Sequence, residues 1–149
     1  MASYSQVWLH IIFATKHRNP VFTDISLREE MHAYLAGIAQ NQGSHVHGVG
    51  GVEDHIHMLA SLPKTKTQSE FIKEIKRGSS IWLKKREPGF SKFYWQDGYG
   101  AFSVSHSGIP NVVRYIKNQE AHHRKENSKD EYMRFLDAYE VKYERKFLV

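Results

Sequence analysis

Five short stretches of the chain are rich in β-branched, aromatic and other apolar residues, which is typical of β-strands. They are residues 7–14, 45–52, 55–62, 93–95 and 102–105. The second and third stretches lie on either side of Glu53 and Asp54, and this spacing predicts a β-hairpin.

Three helices are marked by Ser or Thr followed by Glu three residues later, the pattern of a capping box. These pairs are Ser26 with Glu29, Thr67 with Glu70, and Ser128 with Glu131. Gly43 and Pro88-Gly89 predict the ends of the first two helices, and the last helix is expected to run toward Tyr143. A further long helix is predicted over residues 110–126, with Pro110 in its first turn.

The resulting β-α-β-β-α-β order predicts an α+β, ferredoxin-like (RRM-like) antiparallel sheet with helices on one face, extended by C-terminal helices. The chain has 149 residues, which fits one domain over residues 1–149.

The composition limits which metal ligands and which binding partners the protein can have. There is no cysteine, so any metal must bind to His, carboxylate, amide or water ligands, and disulfides are excluded. A net charge of +5 and a pI near 9.4 favour a polyanionic partner. No apolar run is long enough to cross a membrane and no secretory signal is recognisable, so we expect a cytoplasmic protein.

His55 and His57 lie two residues apart on the third predicted strand, so both side chains point to the same face. Two imidazoles on one rigid face are suited to binding a metal ion. His45 and His47 form a second such pair, and a chain with ten histidines carries pairs of this kind by chance. Spacing alone therefore leaves both metal binding and composition as explanations.

A two-residue turn at Glu53-Asp54 would place Gly50 opposite His57. A small residue there would leave room for the backbone of a ligand to approach. The same register would place His45 and His47 on the opposite face of the sheet.

Tyr115 and Gln119 are four residues apart in the predicted long helix and therefore share one of its faces. A tyrosine can act as a covalent nucleophile, and an amide oxygen can bind a hard cation. A tyrosine at this position could equally be an amphipathic residue at the edge of a core.

Taken together, these motifs resemble those of the HUH nucleases, and specifically the single-tyrosine HUH transposases. Residues 54–59 (DHIHML) are similar to the histidine-hydrophobe-histidine motif, and Tyr115 with Gln119 resembles the tyrosine and glutamine of the small insertion-sequence and REP-associated transposases. Residues 95–105 and 118–123 also resemble the family's segments before and after that tyrosine. The resemblance covers residues 7–135 in the family's order.

The resemblance implies a DNA strand transferase that cleaves and rejoins single-stranded DNA with hairpin ends through a 5′-phosphotyrosine, and so moves an insertion sequence. Tyr115 would be the nucleophile, and His55, His57 and Gln119 would bind Mg²⁺ or Mn²⁺. The family works as homodimers, in which the tyrosine helix of one subunit can complete the other's active site in trans.

Basic residues on the second predicted helix are candidates for contact with the DNA backbone. They are Lys73, Lys76, Arg77 and Lys84, followed by Lys85 and Arg86. A solvated helix face explains each of them equally well. Trp82 and Tyr94 could stack on bases, although core packing is the alternative for both.

Three other functions compete with this interpretation. A non-catalytic RRM-like binding module would carry an aromatic-rich RNP motif, which we do not find. HUH replication initiators and relaxases usually reside in longer chains. A histidine-metal phosphoester hydrolase would not need Tyr115, so Tyr115→Phe should leave its activity intact.

Overall fold

The computed structural model describes residues 2–144 and contains a four-stranded antiparallel sheet. Its strands are β1 (Trp8–Ala14), β2 (Val46–Gly51), β3 (His55–Ser61) and β4 (Gly100–Val104). Their order across the sheet is β2-β3-β1-β4. The strands that follow the two helical crossovers, β2 and β4, therefore lie at the two edges of the sheet. This is the ferredoxin-like arrangement that the sequence predicts.

The helices are α1 (Ile25–Asn41), α2 (Gln68–Arg86), α3 (Ile109–Lys117), α4 (Gln119–His123) and α5 (Ser128–Ala138). Helices α1 and α2 cover one face of the sheet, where they bury the main core with Ile56 and Met58 of β3. Helices α3 and α5 pack on the other face, against smaller clusters that include Leu59 and Ile12. Within residues 2–144, none of these helices combines the length and the apolar content needed to cross a bilayer.

Helix starts agree with the predicted capping boxes in one case of three. Thr67 caps α2 by accepting from the amide of Glu70, as predicted. Helix α1 is capped instead by Asp24, two residues before Ser26, and α5 by Asn127, one residue before Ser128. Both replacements are Asp or Asn, whose short carboxylate or amide accepts from the first free backbone amides as well as serine does.

Two predicted elements are wrong. Residues 93–95 do not form a strand, because only Trp95 bridges to the sheet, through Thr15, while its indole is buried and donates to Ser79. The helix predicted over residues 110–126 is interrupted at Asn118, whose backbone (φ −98°, ψ 20°) leaves the helical region. The last helix ends at Ala138 rather than near Tyr143.

The predicted hairpin register is confirmed, since Gly50 pairs with His57 and Gly48 with Leu59. A β-bulge between Val46 and Gly48 shifts the register beyond that point. The bulge turns the rings of His45 and His47 onto Trp8, at 5.7 and 4.4 Å between ring centres. Trp8 packs with Leu59, which shares a face with His57, so the expectation that the second pair lies on the opposite face is wrong.

The space beside Gly50 is filled by the protein's own helix α3. A Cβ atom at position 50 would lie 2.3 Å from the carbonyl oxygen of Ile116 and 2.9 Å from its side chain. The expectation that Gly50 leaves room for a ligand's backbone is therefore wrong. Gly50 instead lets α3 approach the hairpin closely, which fixes the helix that carries Tyr115.

We predict that Gly50→Ala destabilises the fold, because the methyl group would collide with backbone rather than with a flexible side chain. Overpacking of this kind costs roughly 1–3 kcal/mol, or about 3–9 °C in Tm for a chain of this size. Gly48→Ala is the matched control, since nothing lies within 4 Å of a Cβ there. Thermal unfolding of the two variants tests this, and equal Tm values would contradict the close approach of α3.

Candidate active site

His55 and His57 lie side by side on β3, and both are buried, with exposed fractions of 1% and 0%. The Nδ1 atom of His55 donates to the carboxylate of Asp54 over 2.7 Å. The Nδ1 atom of His57 lies 2.8 Å from Nε2 of His10 on β1. Each Nδ1 therefore has a partner, and each Nε2 points toward the same space beyond the sheet.

The break at Asn118 brings Gln119 to this space, where Tyr115 of α3 also lies. Gln119 opens α4, is buried, and places its Oε1 atom 3.3 Å from Nε2 of His55. The ring of Tyr115 lies 5.7 Å from the ring of His57, centre to centre. The four residues predicted to serve as nucleophile or metal ligands therefore meet within one chain, on the face of the sheet that α3 covers.

Glu131 of α5 occupies the centre of the group, although the sequence suggested only a capping role for it. Its Oε1 atom lies 3.0 Å from Nε2 of His57, 3.0 Å from Nε2 of His123 and 3.3 Å from Nε2 of His55. One ligand atom from each of these four residues lies within 4.8 Å of all the others. The carboxylate is almost fully buried, so these imidazoles are its main partners.

The hydroxyl group of Tyr115 lies at the edge of this cluster. It donates to Oε2 of Glu131, accepts from the guanidinium group of Arg134 over 2.9 Å, and lies 3.2 Å from Nε2 of His122. Burial and the hydrogen bond to Glu131 raise the pKa of Tyr115, whereas the positive charge of Arg134 opposes that shift. The phenol is thus neutral here, with a proton acceptor and a cation already in contact with it.

The charges of the cluster depend on one another. Burial disfavours the charged form of Glu131, but hydrogen bonds from His123, His55 and His57 outweigh it and lower the pKa of Glu131. Burial also disfavours protonation of His55, yet Asp54 and Glu131 raise its pKa to about 9. Complete burial lowers the pKa of His57 to about 4, so this imidazole is neutral.

A second layer of contacts holds the site in place. Ser128 donates to the Asp54 carboxylate over 3.1 Å and accepts from Arg18 over 2.8 Å. Arg28 of α1 donates to Glu120 of α4 over 2.8 Å and to the carbonyl of Phe22 over 2.9 Å. The two arginines thus tie α4 and the start of α5 to the rest of the domain.

Sequence reasoning missed several residues of this site. They are His10, His122, His123, Glu131 and Arg134. Adjacent His122 and His123 in the family-like segment 118–123 were a usable signal, whereas Glu131 was not recognisable because it fits a capping box equally well. The rings of His45 and His47 lie against Trp8, and neither residue belongs to the group of possible metal ligands among the described residues.

The basic residues proposed to contact DNA lie on α2, which packs on the sheet face opposite to His55 and His57. Lys73 is exposed, and Arg77 is exposed and pairs with Glu74. The ammonium group of Lys76 donates to the carbonyls of Gln96 and Gly98, both over 2.8 Å, so its charge holds a loop. Lys84 lies 4.1 Å from the centre of the Tyr94 ring. DNA contact by these four residues stays a prediction.

Comparison with known proteins points to one family. The sequence profile of the IS200-like transposases matches residues 3–119. The ISDra2 transposase TnpA of Deinococcus radiodurans is 25% identical over 119 residues, which cover 76% of this chain and 84% of that protein. His123 and Glu131 lie beyond the part of the chain that the family profile matches.

Two solved structures share the fold. A candidate transposase of Deinococcus radiodurans R1 superposes with a TM-score of 0.62 at 22% identity, over 80% of this chain and 95% of that one. A REP-associated tyrosine transposase bound to a REP hairpin superposes with a TM-score of 0.59 at 14% identity, over 83% and 74%.

Proposed function

Because this chain belongs to the IS200-like transposase family, we propose that it is a metal-dependent DNA strand transferase with Tyr115 as its nucleophile. The observation that carries the proposal is the meeting of Tyr115, His55, His57 and Gln119 at one buried site. A phosphoester hydrolase would need the imidazoles but would have no use for a phenol beside them. The phenol therefore favours covalent transfer over hydrolysis.

The donor atoms fit a divalent cation. Ligands bound at about 2.1 Å on adjacent corners of an octahedron lie about 3.0 Å apart. The separations of 3.0–3.3 Å between Glu131 and three imidazole nitrogens match that spacing. The Asp54 carboxylate also accepts from Nδ1 of His55, so once Nε2 has lost its proton this nitrogen would be free to bind a cation, as in many histidine metal sites.

We propose that His55, His57 and Gln119 hold this ion together with His123 and Glu131. Three nitrogen and two oxygen donors favour Mn²⁺ over Mg²⁺, because Mg²⁺ prefers oxygen ligands. When bound, the cation would neutralise charge on the scissile phosphate and polarise its P–O bonds. In the free protein, the imidazoles and the amide of Gln119 surround the Glu131 carboxylate instead.

The chain's own residues account for the remaining steps. The Tyr115 oxygen attacks phosphorus, the bond to the 3′ oxygen breaks, and a 5′-phosphotyrosine and a free 3′-OH result. The phenolic proton leaves toward Glu131 or His122, both of which contact the hydroxyl, and a proton ends on the released 3′ oxygen. Arg134 lies where it can stabilise the phenolate. The phosphotyrosine conserves the bond energy, so a second DNA end can be joined without ATP.

The proposed substrate is single-stranded DNA with hairpin ends, in accord with the REP hairpin bound to the REP-associated transposase that shares this fold. We further propose a homodimer. In the structure Tyr115 lies beside His57 of its own chain. Completion of the active site in trans would therefore require the two subunits of the dimer to exchange their tyrosine helices.

A covalent adduct with labelled single-stranded DNA from the flanking sequence of the gene tests the reaction. We expect a metal-dependent band that survives denaturation in the wild type and is abolished in Tyr115→Phe, because this variant lacks the attacking oxygen. Tyr34→Phe, on the far face of the sheet, is the matched control and should form the adduct normally. Cleavage by Tyr115→Phe without an adduct would identify a hydrolase instead, and binding without cleavage a binding module.

Titration of the protein with Mn²⁺ in the absence of DNA, measured by calorimetry, tests the proposed set of metal ligands. Loss of a partner that only orients a ligand weakens metal binding about 10–100-fold, so removal of a direct ligand in Glu131→Gln or His123→Ala should weaken it at least about ten-fold. Glu126→Gln is the control, because Glu126 contacts His122 and Arg134 but none of the proposed ligands. Unchanged Mn²⁺ affinity in Glu131→Gln would exclude that carboxylate from the coordination sphere.

A further inference from the structure

A second concave site lies beyond the end of β1, between the segment that follows this strand and the segment that follows α2. It is a cavity of about 540 Å³, within the size range of small-ligand pockets. Its lining includes Lys16, His17, Asn19, Lys92 and Tyr94, with the aromatic ring of Phe90. Cationic, amide and aromatic groups are thus combined in one cavity that the proposed chemistry at Tyr115 does not use.

Tyr94 gives the cavity an aromatic surface in contact with solvent. Its side chain is 58% exposed, in contrast to its neighbours Phe93 and Trp95, which are buried in the core. The ammonium group of Lys84 lies 4.1 Å from the centre of the Tyr94 ring, and that of Lys16 lies 5.8 Å from it. A base stacked on this ring would bring its phosphate within reach of two positive charges, the combination found in single-strand binding sites.

Thr15 links the cavity to the catalytic site. It lines the cavity and donates from both its amide and its hydroxyl group to the carbonyl of Asp54, whose carboxylate orients His55. His17 and Arg18 follow in the left-handed region, with φ of 58° and 53°. Residues with a Cβ rarely adopt this conformation. Two hydrogen bonds hold them there, one from the His17 amide to the side chain of Gln96 and one from the Arg18 guanidinium group to the hydroxyl of Ser128.

We propose that this cavity binds one nucleotide of the single strand next to the scissile phosphate, with its base stacked on Tyr94. This inference rests on the proposed function, which supplies single-stranded DNA as the substrate. It assigns a binding site to the part of the strand that extends past Tyr115. Lys16, Lys84 and Lys92 would contact the backbone phosphates. Of the basic residues on α2 that the sequence singled out, Lys84 is the one that takes part.

Fluorescence anisotropy with labelled oligothymidine, in EDTA so that no cleavage occurs, tests the cavity. Loss of one stacked base in Tyr94→Ala should weaken binding about ten-fold, whereas Tyr94→Phe should stay within about two-fold of the wild type because the ring is kept. Gly89→Leu should also weaken binding, since Gly89 lines the cavity and nothing lies within 4 Å of a Cβ there.

The matched control is Tyr34→Ala, which removes another exposed tyrosine that stacks on Trp82 away from the cavity. It should bind oligothymidine as the wild type does. Wild-type affinity in both Tyr94→Ala and Gly89→Leu, or a wild type that leaves oligothymidine unbound, would overturn the proposal. Neither result would change the expected Tyr115 adduct, and absence of that adduct would not change the affinity for oligothymidine. The two experiments therefore test the two proposals independently.

Discussion

The close contact between α3 and the β2–β3 hairpin determines where Tyr115 lies relative to the histidine pair of β3. The carbonyl of Ile116 fills the space that a side chain at position 50 would need, so the helix can sit this near only above glycine. Tyr115 precedes Ile116 and therefore emerges beside His57, and the break at Asn118 then turns Gln119 back toward His55. A steric constraint on the backbone thus places the phenol of Tyr115 beside two imidazoles.

Electrostatics at the centre of this arrangement explain why α5 belongs to the site. A buried carboxylate is costly unless hydrogen-bond donors surround it, and Glu131 meets this condition with imidazoles from β3 and α4 and the hydroxyl of Tyr115. The same donor geometry fits a divalent cation, which would replace the hydrogens shared between these groups. Binding of a metal ion would therefore be coupled to the docking of α5 through one side chain, and Arg134 on the same helix contacts the Tyr115 hydroxyl.

Local rules predicted much of the fold and part of the site. Alternation along β3 placed His55 and His57 on one face, and the two-residue turn gave the register of Gly50 with His57. The absence of a strand at residues 93–95 depends on tertiary contacts, such as the hydrogen bond from the buried Trp95 indole to Ser79, which no local pattern contains. Glu131 escaped notice because it fits a capping box with Ser128, and because its contact with His57 joins residues that are 74 positions apart in sequence.

Anomalous diffraction from crystals of the protein grown with Mn²⁺ would test the proposed metal site, because it locates the ion without reference to activity. We expect one strong anomalous peak, about 2.0–2.3 Å from Nε2 of His55 and of His57, with an oxygen of Glu131 among its ligands. Saturating Mn²⁺ that gives no peak between these imidazoles, with the Glu131 carboxylate still bound to them, would contradict it. In that case the cluster would be a structural ion-pair network, and Tyr115 would lack the cation that the proposed transfer requires.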